Sequence, residues 1–184
     1  MNAAPTPRRI LVTAFEPFGP PGKSKRDANA SEEVVRAFRG NHPGRCDVRV
    51  LPVGPLAEVH LARALQLHPL GVVGMGETGQ EGEWDTNVEP GAADITVRTG
   101  GLRPGTPMRA SEFATSIPLL PGMEREVRIG AYWCNRIYFR ALEWSHIHRI
   151  PAVFLHLRVG CDRRRQREHL EHVVAHMERV VGGR

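Results

Sequence analysis

Cysteine is scarce in this chain: there are three in 184 residues, an odd number. Small secreted domains that depend on disulfides carry many paired cysteines, so the sequence does not fit that class. It also lacks the run of about 20 apolar residues that a membrane-spanning helix needs. Residues 1–7 contain no apolar core of the kind found in secretory signals. We therefore expect free thiols, a cytoplasmic location and no membrane partner.

Aromatic side chains are also few, at 6% of the residues. The formal net charge is +5, and much of the positive charge lies in one arginine-rich segment, formed by Arg158, Arg163, Arg164, Arg165 and Arg167. No aromatic residues are interleaved with these arginines, and no nucleic-acid-binding motif is present. The segment is more typical of the solvated start of a helix than of a phosphate-binding patch, so we expect no nucleic-acid partner.

Short apolar runs alternate with segments of helical periodicity along the chain. The runs predict strands at residues 9–13, 47–53, 71–74 and 152–157, and the periodic segments predict helices that begin near Ala30, Pro55, Cys134 and Arg163. This alternation predicts an α/β fold, with a mainly parallel twisted sheet and helices on both faces. One domain of this size buries about 70% of its unfolded surface. We expect residues 8–184 to form that single domain, after a disordered lead at residues 1–7.

The sequence also predicts three local features of the fold. The helix after Pro55 should bury Leu56, Val59, Ala62 and Leu65. The strand at residues 71–74 should end in a turn at Gly74-Met75-Gly76. Residues 77–121 are polar and rich in glycine and proline, which predicts loops or a hairpin, with a short helix possible at residues 109–117.

One cysteine and one histidine stand where such a fold presents reactive groups. Cys134 falls in the first turn of a predicted helix, where backbone N–H groups and the helix dipole favour a thiolate and can bind an oxyanion. His156 ends a predicted strand, and α/β sheets bind ligands at the carboxyl ends of their strands. The pair is therefore a candidate nucleophile and base. The alternative is a cysteine that fills the core beside a hydrogen-bonded core histidine.

Two phenylalanines lie on the loop that follows the first strand. Phe15 and Phe18 belong to a run at residues 14–22 that is rich in glycine and proline. They either fold back onto the core or form a hydrophobic clamp at the mouth of a site. Behind the loop, Asn29-Ala30-Ser31-Glu32 has the pattern of a capped helix start.

Four blocks of the sequence together resemble one known family. They are ILVTAFEPFG at residues 10–19, NAS at residues 29–31, YWCN at residues 132–135 and FLH at residues 154–156. In order and rough spacing they are similar to the blocks ILVTGFEPFGG, NPS, TYVCN and FIHVP of the pyrrolidone carboxyl peptidases, the type I pyroglutamyl peptidases. The resemblance covers most of the chain in outline, and its first and third blocks are the specific ones.

The resemblance implies a thiol peptidase that needs no metal or other cofactor. Cys134 would attack the carbonyl of an N-terminal pyroglutamyl residue, His156 would pass a proton to the leaving amine, and water would hydrolyse the thioester. Phe15 and Phe18 would hold the lactam ring, and the backbone at Met75 would form hydrogen bonds with it. The implied partner is a pyroglutamyl peptide substrate, and a homo-oligomer is possible.

The resemblance also implies an acidic residue that orients the histidine and lies shortly before an asparagine. The candidates are Glu81 and Glu83, and we favour Glu83, in Glu83-Trp84-Asp85-Thr86-Asn87, although it needs one deleted residue. Asp94 lies near the position of another functional aspartate of the family. The predicted catalytic residues are therefore Cys134, His156 and Glu83.

Differences from the family blocks leave three functions open. Ala14 replaces a glycine of the first block, and Glu77-Thr78-Gly79-Gln80 stands where the family has a GGR segment. The protein is an active pyroglutamyl peptidase, a relative with drifted amidase specificity, or a non-catalytic homologue with a binding or structural role.

The last predicted helix carries three histidines on one flank: His169, His172 and His176. Their spacing lacks the short ligand pairs of zinc sites and is explained by an exposed polar stripe. We therefore predict no metal site there.

Overall fold

Strands and helices alternate along the chain, as the hydrophobic pattern predicts. A computed structural model describes residues 8–18, 27–80, 82–94, 106–127 and 132–183. The strands are β1 (Ile10–Phe15), β2 (Cys46–Leu51), β3 (Gly71–Thr78), β4 (Thr86–Glu89), β5 (Gly91–Ala93), β6 (Met108–Ala110), β7 (Met123–Glu124) and β8 (Ala152–Arg158). The helices are α1 (Ala30–Asn41), α2 (Leu56–Leu65), α3 (Glu112–Ser116), α4 (Trp133–His148) and α5 (Arg163–Gly182).

Six of the strands form one sheet in the order β2-β1-β3-β8-β4-β7. The first four strands in this order run parallel, β4 runs antiparallel to β8, and β7 is parallel to β4. The chain moves outward from β1 to β2 and then crosses back to β3 on the other side of β1. A crevice forms at such a switch point, outside the carboxyl ends of the strands. The predicted α/β fold class is confirmed.

Successive residues of a strand point to opposite faces of the sheet, so β1 contributes to two cores. Ile10, Val12 and Ala14 pack with α1 and α5 on one face. Leu11 and Phe15 pack with α2 and α4 on the other face. The candidate nucleophile, on α4, therefore lies on the second face.

Two of the local predictions are wrong. Helix α2 buries Ala57, Leu61, Ala64 and Leu65, whereas Leu56 and Val59 are 61% and 45% exposed. These buried residues belong to the core shared with α4, and ion pairs from Glu58 to two arginines of α4 join the two helices. Strand β3 does not turn at Gly74–Gly76 but continues to Thr78, because β8 pairs with it as far as that residue.

The segment predicted as loops or a hairpin contains a strand of the main sheet. Strand β4 pairs with β8, which lies far along the chain, so no local hydrophobic pattern marks it. Strands β5 and β6 form a separate antiparallel pair, and α3 falls within the short helix predicted at residues 109–117.

The basic and histidine-rich parts of α5 have structural partners. Arg163 pairs with Glu33 and Arg165 with Asp85, which agrees with the interpretation of this segment as a helix start. His169 is buried and bonded to the Thr86 hydroxyl, so the interpretation of an exposed stripe is wrong for this residue. No helix in the part of the chain described here is long and apolar enough to cross a membrane. The predicted lead at residues 1–7 lies outside the described residues.

Candidate active site

Cys134 is the second residue of α4, as the sequence predicts. The residue that precedes the helix, Tyr132, makes no side-chain capping bond, so the first N–H groups of α4 are not capped by it. Such groups can stabilise a negative charge on a nearby thiolate or oxyanion. The side chain of Cys134 is half-buried, and all three cysteines of the chain are free thiols.

The start of α4 lies directly against the end of β3. A Cβ atom placed on Gly76 would stand 3.3 Å from the Cys134 Cβ and 3.1 Å from the ring of Phe154. In the pairing of β3 with β8, Gly76 lies opposite His156. The absence of a side chain at Gly76 therefore lets the cysteine approach the sheet beside the histidine.

His156 forms a buried hydrogen bond with a glutamate that the sequence analysis did not identify. Its Nδ1 lies 2.8 Å from the Oε1 of Glu89, on β4, and the two residues are only 7% and 2% exposed. Because an ionised carboxylate only accepts hydrogen bonds, Nδ1 carries the proton. The other ring nitrogen, Nε2, is then left for Cys134, which acts on the imidazole electrostatically.

The electrostatic environment favours a charged imidazole. Burial by itself lowers the pKa of His156, but the Cys134 thiolate and the Glu89 carboxylate outweigh burial and raise this pKa above its ordinary value. The three side chains thus place a buried imidazole between a thiol and a carboxylate, which is an arrangement that can serve as a base between a nucleophile and an orienting acid.

Helix α4 is tied to the strands that carry the acid. The side chain of Asn135, next to the cysteine, accepts a hydrogen bond from the Ala93 N–H at 3.1 Å and donates one to the Ala93 carbonyl at 2.8 Å. One helical turn later, the Tyr138 hydroxyl donates to the Glu89 carbonyl at 2.9 Å. These bonds set the distance between Cys134 on α4 and the Glu89 carboxylate on β4.

The prediction that Glu83 orients His156 is wrong. Glu83 is exposed in the bend before β4, and Glu89 makes the hydrogen bond. Of the other two candidates, Asp94 pairs with Arg136 of α4, and Glu81 lies outside the described residues. The sequence marks the strand that carries Glu89 only weakly. There is one β-branched residue on each side of Asn87, and Pro90 and a glycine follow the strand.

The two predicted phenylalanines have different environments. Phe15 is 4% exposed and belongs to the core on the α2 and α4 face, against which Cys134 also packs. Phe18 is partly exposed. The backbone of this loop is held by α1, since the Phe15 N–H donates to the Ser31 hydroxyl at 3.1 Å and the Asn29 amide reaches the Glu16 carbonyl.

The backbone at Met75 borders the crevice between β1 and β3. Pairing of these two strands ends at Thr13 and Gly74, whereas β3 remains paired with β8 as far as Thr78. One backbone edge of β3 therefore faces the crevice from Met75 onward. The Met75 side chain itself is buried in the core on the opposite face from Cys134.

We expect replacement of the two phenylalanines to separate packing from binding. Phe15→Ala should lower the melting temperature strongly, because opening a core position of this size costs about 3–5 kcal/mol. Phe18→Ala should raise KM roughly tenfold with little change in melting temperature, since about 1–2 kcal/mol of ligand burial is lost. Thermal melts and steady-state kinetics measure both. An unchanged KM in Phe18→Ala with a lower melting temperature would instead put this ring in the core.

In the described part of the chain, no group of three or more potential ligands could hold a metal ion.

Comparison with known proteins identifies relatives by structure. Neither a protein-family model nor a curated protein sequence matches the chain. The pyrrolidone carboxyl peptidase from Thermococcus litoralis superposes with a TM-score of 0.73 at 21% identity, over 96% of each chain. The pyrrolidone carboxyl peptidase from Thermus thermophilus has a TM-score of 0.71 at 20% identity, over 91% of this chain and 99% of that one. A mutant of the Pyrococcus furiosus protein has a TM-score of 0.69 at 19% identity, over 92% of this chain and 97% of that one. The chain therefore has the fold of the pyrrolidone carboxyl peptidases.

Proposed function

We propose that this protein is a cysteine peptidase that removes an N-terminal pyroglutamyl residue from peptides, as a divergent member of the pyrrolidone carboxyl peptidase family. The observation that carries the proposal is the buried His156, which has Glu89 on one side and Cys134 on the other. A structural histidine would need neither a thiol nor a carboxylate at these positions. The shared fold and the four sequence blocks support the choice of substrate.

In the proposed reaction, the Cys134 sulfur attacks the carbonyl carbon of the pyroglutamyl residue and forms a carbon–sulfur bond. The N–H groups at the start of α4 stabilise the oxyanion that develops. The peptide C–N bond then breaks as His156 donates its Nε2 proton to the leaving amine. Neutral His156 next removes a proton from water, whose oxygen displaces the sulfur and releases pyroglutamate.

The crevice between β1 and β3 is the proposed site of the lactam ring. In this proposal Phe18, on the loop after β1, packs on the ring, and the backbone of β3 at Met75, just beyond the last residue paired with β1, supplies hydrogen-bonding groups for the lactam amide. A lactam has one N–H donor and one carbonyl acceptor, which a strand edge can match. The proposed reaction uses no metal or cofactor, and we propose a cytoplasmic location.

A fluorogenic pyroglutamyl amide tests this function. The matched substrates are the prolyl and glutaminyl amides of the same fluorophore, because proline lacks the ring carbonyl and glutamine lacks the ring. We expect hydrolysis of the pyroglutamyl amide at a kcat/KM at least about 100-fold higher than for either analogue, since a buried polar group left unpaired costs about 1–3 kcal/mol and the ring contacts add to it. Faster hydrolysis of another acyl amide would indicate a drifted specificity, and no hydrolysis of any amide would contradict the proposal.

A further inference from the structure

Asn87 is a fully buried polar residue that takes no part in the steps of the proposed reaction. It lies on β4, directly opposite His156 in the pairing of β4 with β8, and it is 0% exposed. Its Nδ2 donates a hydrogen bond to the Oε1 of Glu89 at 2.8 Å. The same carboxylate oxygen accepts the hydrogen bond from the Nδ1 of His156. One oxygen of Glu89 thus has two donors, one from the base and one from Asn87.

The orientation of the Asn87 amide is determined by the neighbouring chain. Its Oδ1 accepts a hydrogen bond from the Glu126 N–H at 2.9 Å, and its Nδ2 donates a second bond to the Glu126 carbonyl at 3.0 Å. If the amide were turned over, Nδ2 would face an N–H and Oδ1 would face a carbonyl and a carboxylate. The backbone of Glu126 therefore requires that Nδ2 points at Glu89.

We propose that Asn87 is a positioning residue of the active site: it holds the Glu89 carboxylate in the rotamer that orients His156. This inference rests on the proposed function. The Oε1 of Glu89 accepts one hydrogen bond from Asn87 and one from His156, and two bonds from different directions hold this oxygen in one position. The partners that orient a histidine from behind set its tautomer and ring position. Asn87 acts in this way through Glu89, without contact to substrate.

Asn87→Asp is the discriminating variant, because it keeps the shape and replaces the donor by a carboxylate. When the new side chain is ionised it offers Glu89 no donor, so on the alkaline side of the pH profile we expect kcat to fall about 10–100-fold with KM changed less than about twofold. When the pH is lowered, the new side chain takes up a proton and can donate it to Glu89. The ratio of the variant's kcat to the wild-type kcat should therefore rise as the pH falls.

Gln166→Glu is the matched control. Gln166 is also 0% exposed, and its Nε2 donates to the carbonyls of Asp85 and Arg158, which tie the ends of the same two strands. It does not bond to Glu89. If a buried amide matters only for stability, Asn87→Asp and Gln166→Glu should both have a lower melting temperature and the pH profile of kcat of the wild type. We expect the wild-type pH profile in Gln166→Glu and not in Asn87→Asp.

Asn87→Ser is the second variant, because a shorter hydroxyl side chain introduces no buried charge. It should lower kcat about as much as Asn87→Asp but without recovery at low pH, since serine takes up no proton in this range. In the wild type, the Asn87 side-chain amide signals should shift in NMR spectra when Cys134 is alkylated, because the loss of the thiolate changes the His156–Glu89 bond. This measurement needs no variant to fold.

Wild-type kcat in both Asn87 variants, or Asn87 amide signals that do not respond to alkylation, would overturn the inference. A loss of kcat in Asn87→Asp that is the same at every pH would overturn it as well, since a purely structural role predicts that result. The proposed function fails in a different way, through pyroglutamyl amidase activity that survives in Cys134→Ala. If Cys134→Ala is inactive and Asn87→Asp is fully active, the proposed function is supported and the inference about Asn87 is wrong.

Discussion

Replacement of Cys134 by alanine is expected to lower kcat/KM for the pyroglutamyl amide by at least about 10⁴-fold, as loss of the nucleophile does in other covalent hydrolases. The fold should be retained, because the change removes only one half-buried sulfur atom. Steady-state kinetics and a thermal melt check both parts. Substantial activity in this variant would show that the sulfur is not the nucleophile.

The same variant has a second, independent consequence at His156. The thiolate is one of the two negative charges that raise the pKa of this imidazole, and removing it leaves burial, which lowers the pKa, opposed by Glu89 alone. The pKa of His156 should therefore fall in Cys134→Ala. Titration of the imidazole nitrogens by NMR measures this shift. An unchanged pKa would mean that the thiol and the imidazole are not coupled.

The other two cysteines serve as controls. Burial raises the pKa of Cys46 to about 12, and burial also raises the pKa of Cys161, so both thiols are mainly protonated at neutral pH. Iodoacetamide should therefore label Cys134 first. Cys161→Ala should retain the activity of the wild type. Preferential labelling of Cys46 or Cys161 would contradict the assignment of the nucleophile.

Replacement of Glu89 by glutamine is expected to have the second largest effect, a fall in kcat of about 10²–10⁴-fold, because the imidazole loses the charge that stabilises its protonated form and the acceptor that fixes its tautomer. Removal of a negative charge lowers the pKa of His156. The imidazolium is then lost at a lower pH than in the wild type. The alkaline limb of the kcat/KM profile should therefore move to lower pH.

Glu83→Gln is the control for this experiment. It makes the same chemical change six positions earlier (89 − 83), at an exposed glutamate. Wild-type kinetics in Glu83→Gln together with a displaced alkaline limb in Glu89→Gln would confirm the assignment from the structure. Wild-type kinetics in Glu89→Gln together with a displaced alkaline limb in Glu83→Gln would instead support Glu83, the residue that the sequence analysis favoured.

The positions of Cys134 and His156 in the fold follow from local sequence. Helical periodicity after Cys134 predicts a helix start, and the apolar run before His156 predicts a strand end, since both patterns depend on residues close in the chain. The α/β fold class also follows from local sequence patterns. The capped start of α1 at Asn29 is equally local, because its bond is made to the N–H of Ser31.

The tertiary structure decides which acidic residue bonds to His156. Glu89 lies 67 residues before His156 in the chain, and it meets the histidine only because β4 pairs with β8. Strand β4 has four residues, and three of them are polar and buried. Two of these, Asn87 and Glu89, bond to each other, and Glu89 bonds to His156. In sequence such residues resemble a loop. The rotation of α2 also depends on tertiary structure, because its buried residues pack in a core shared with α4, which follows much later in the chain. Local patterns determined which elements form, whereas contacts between distant segments decided which polar groups are buried together, because a buried charge is stable only beside a partner that the fold supplies.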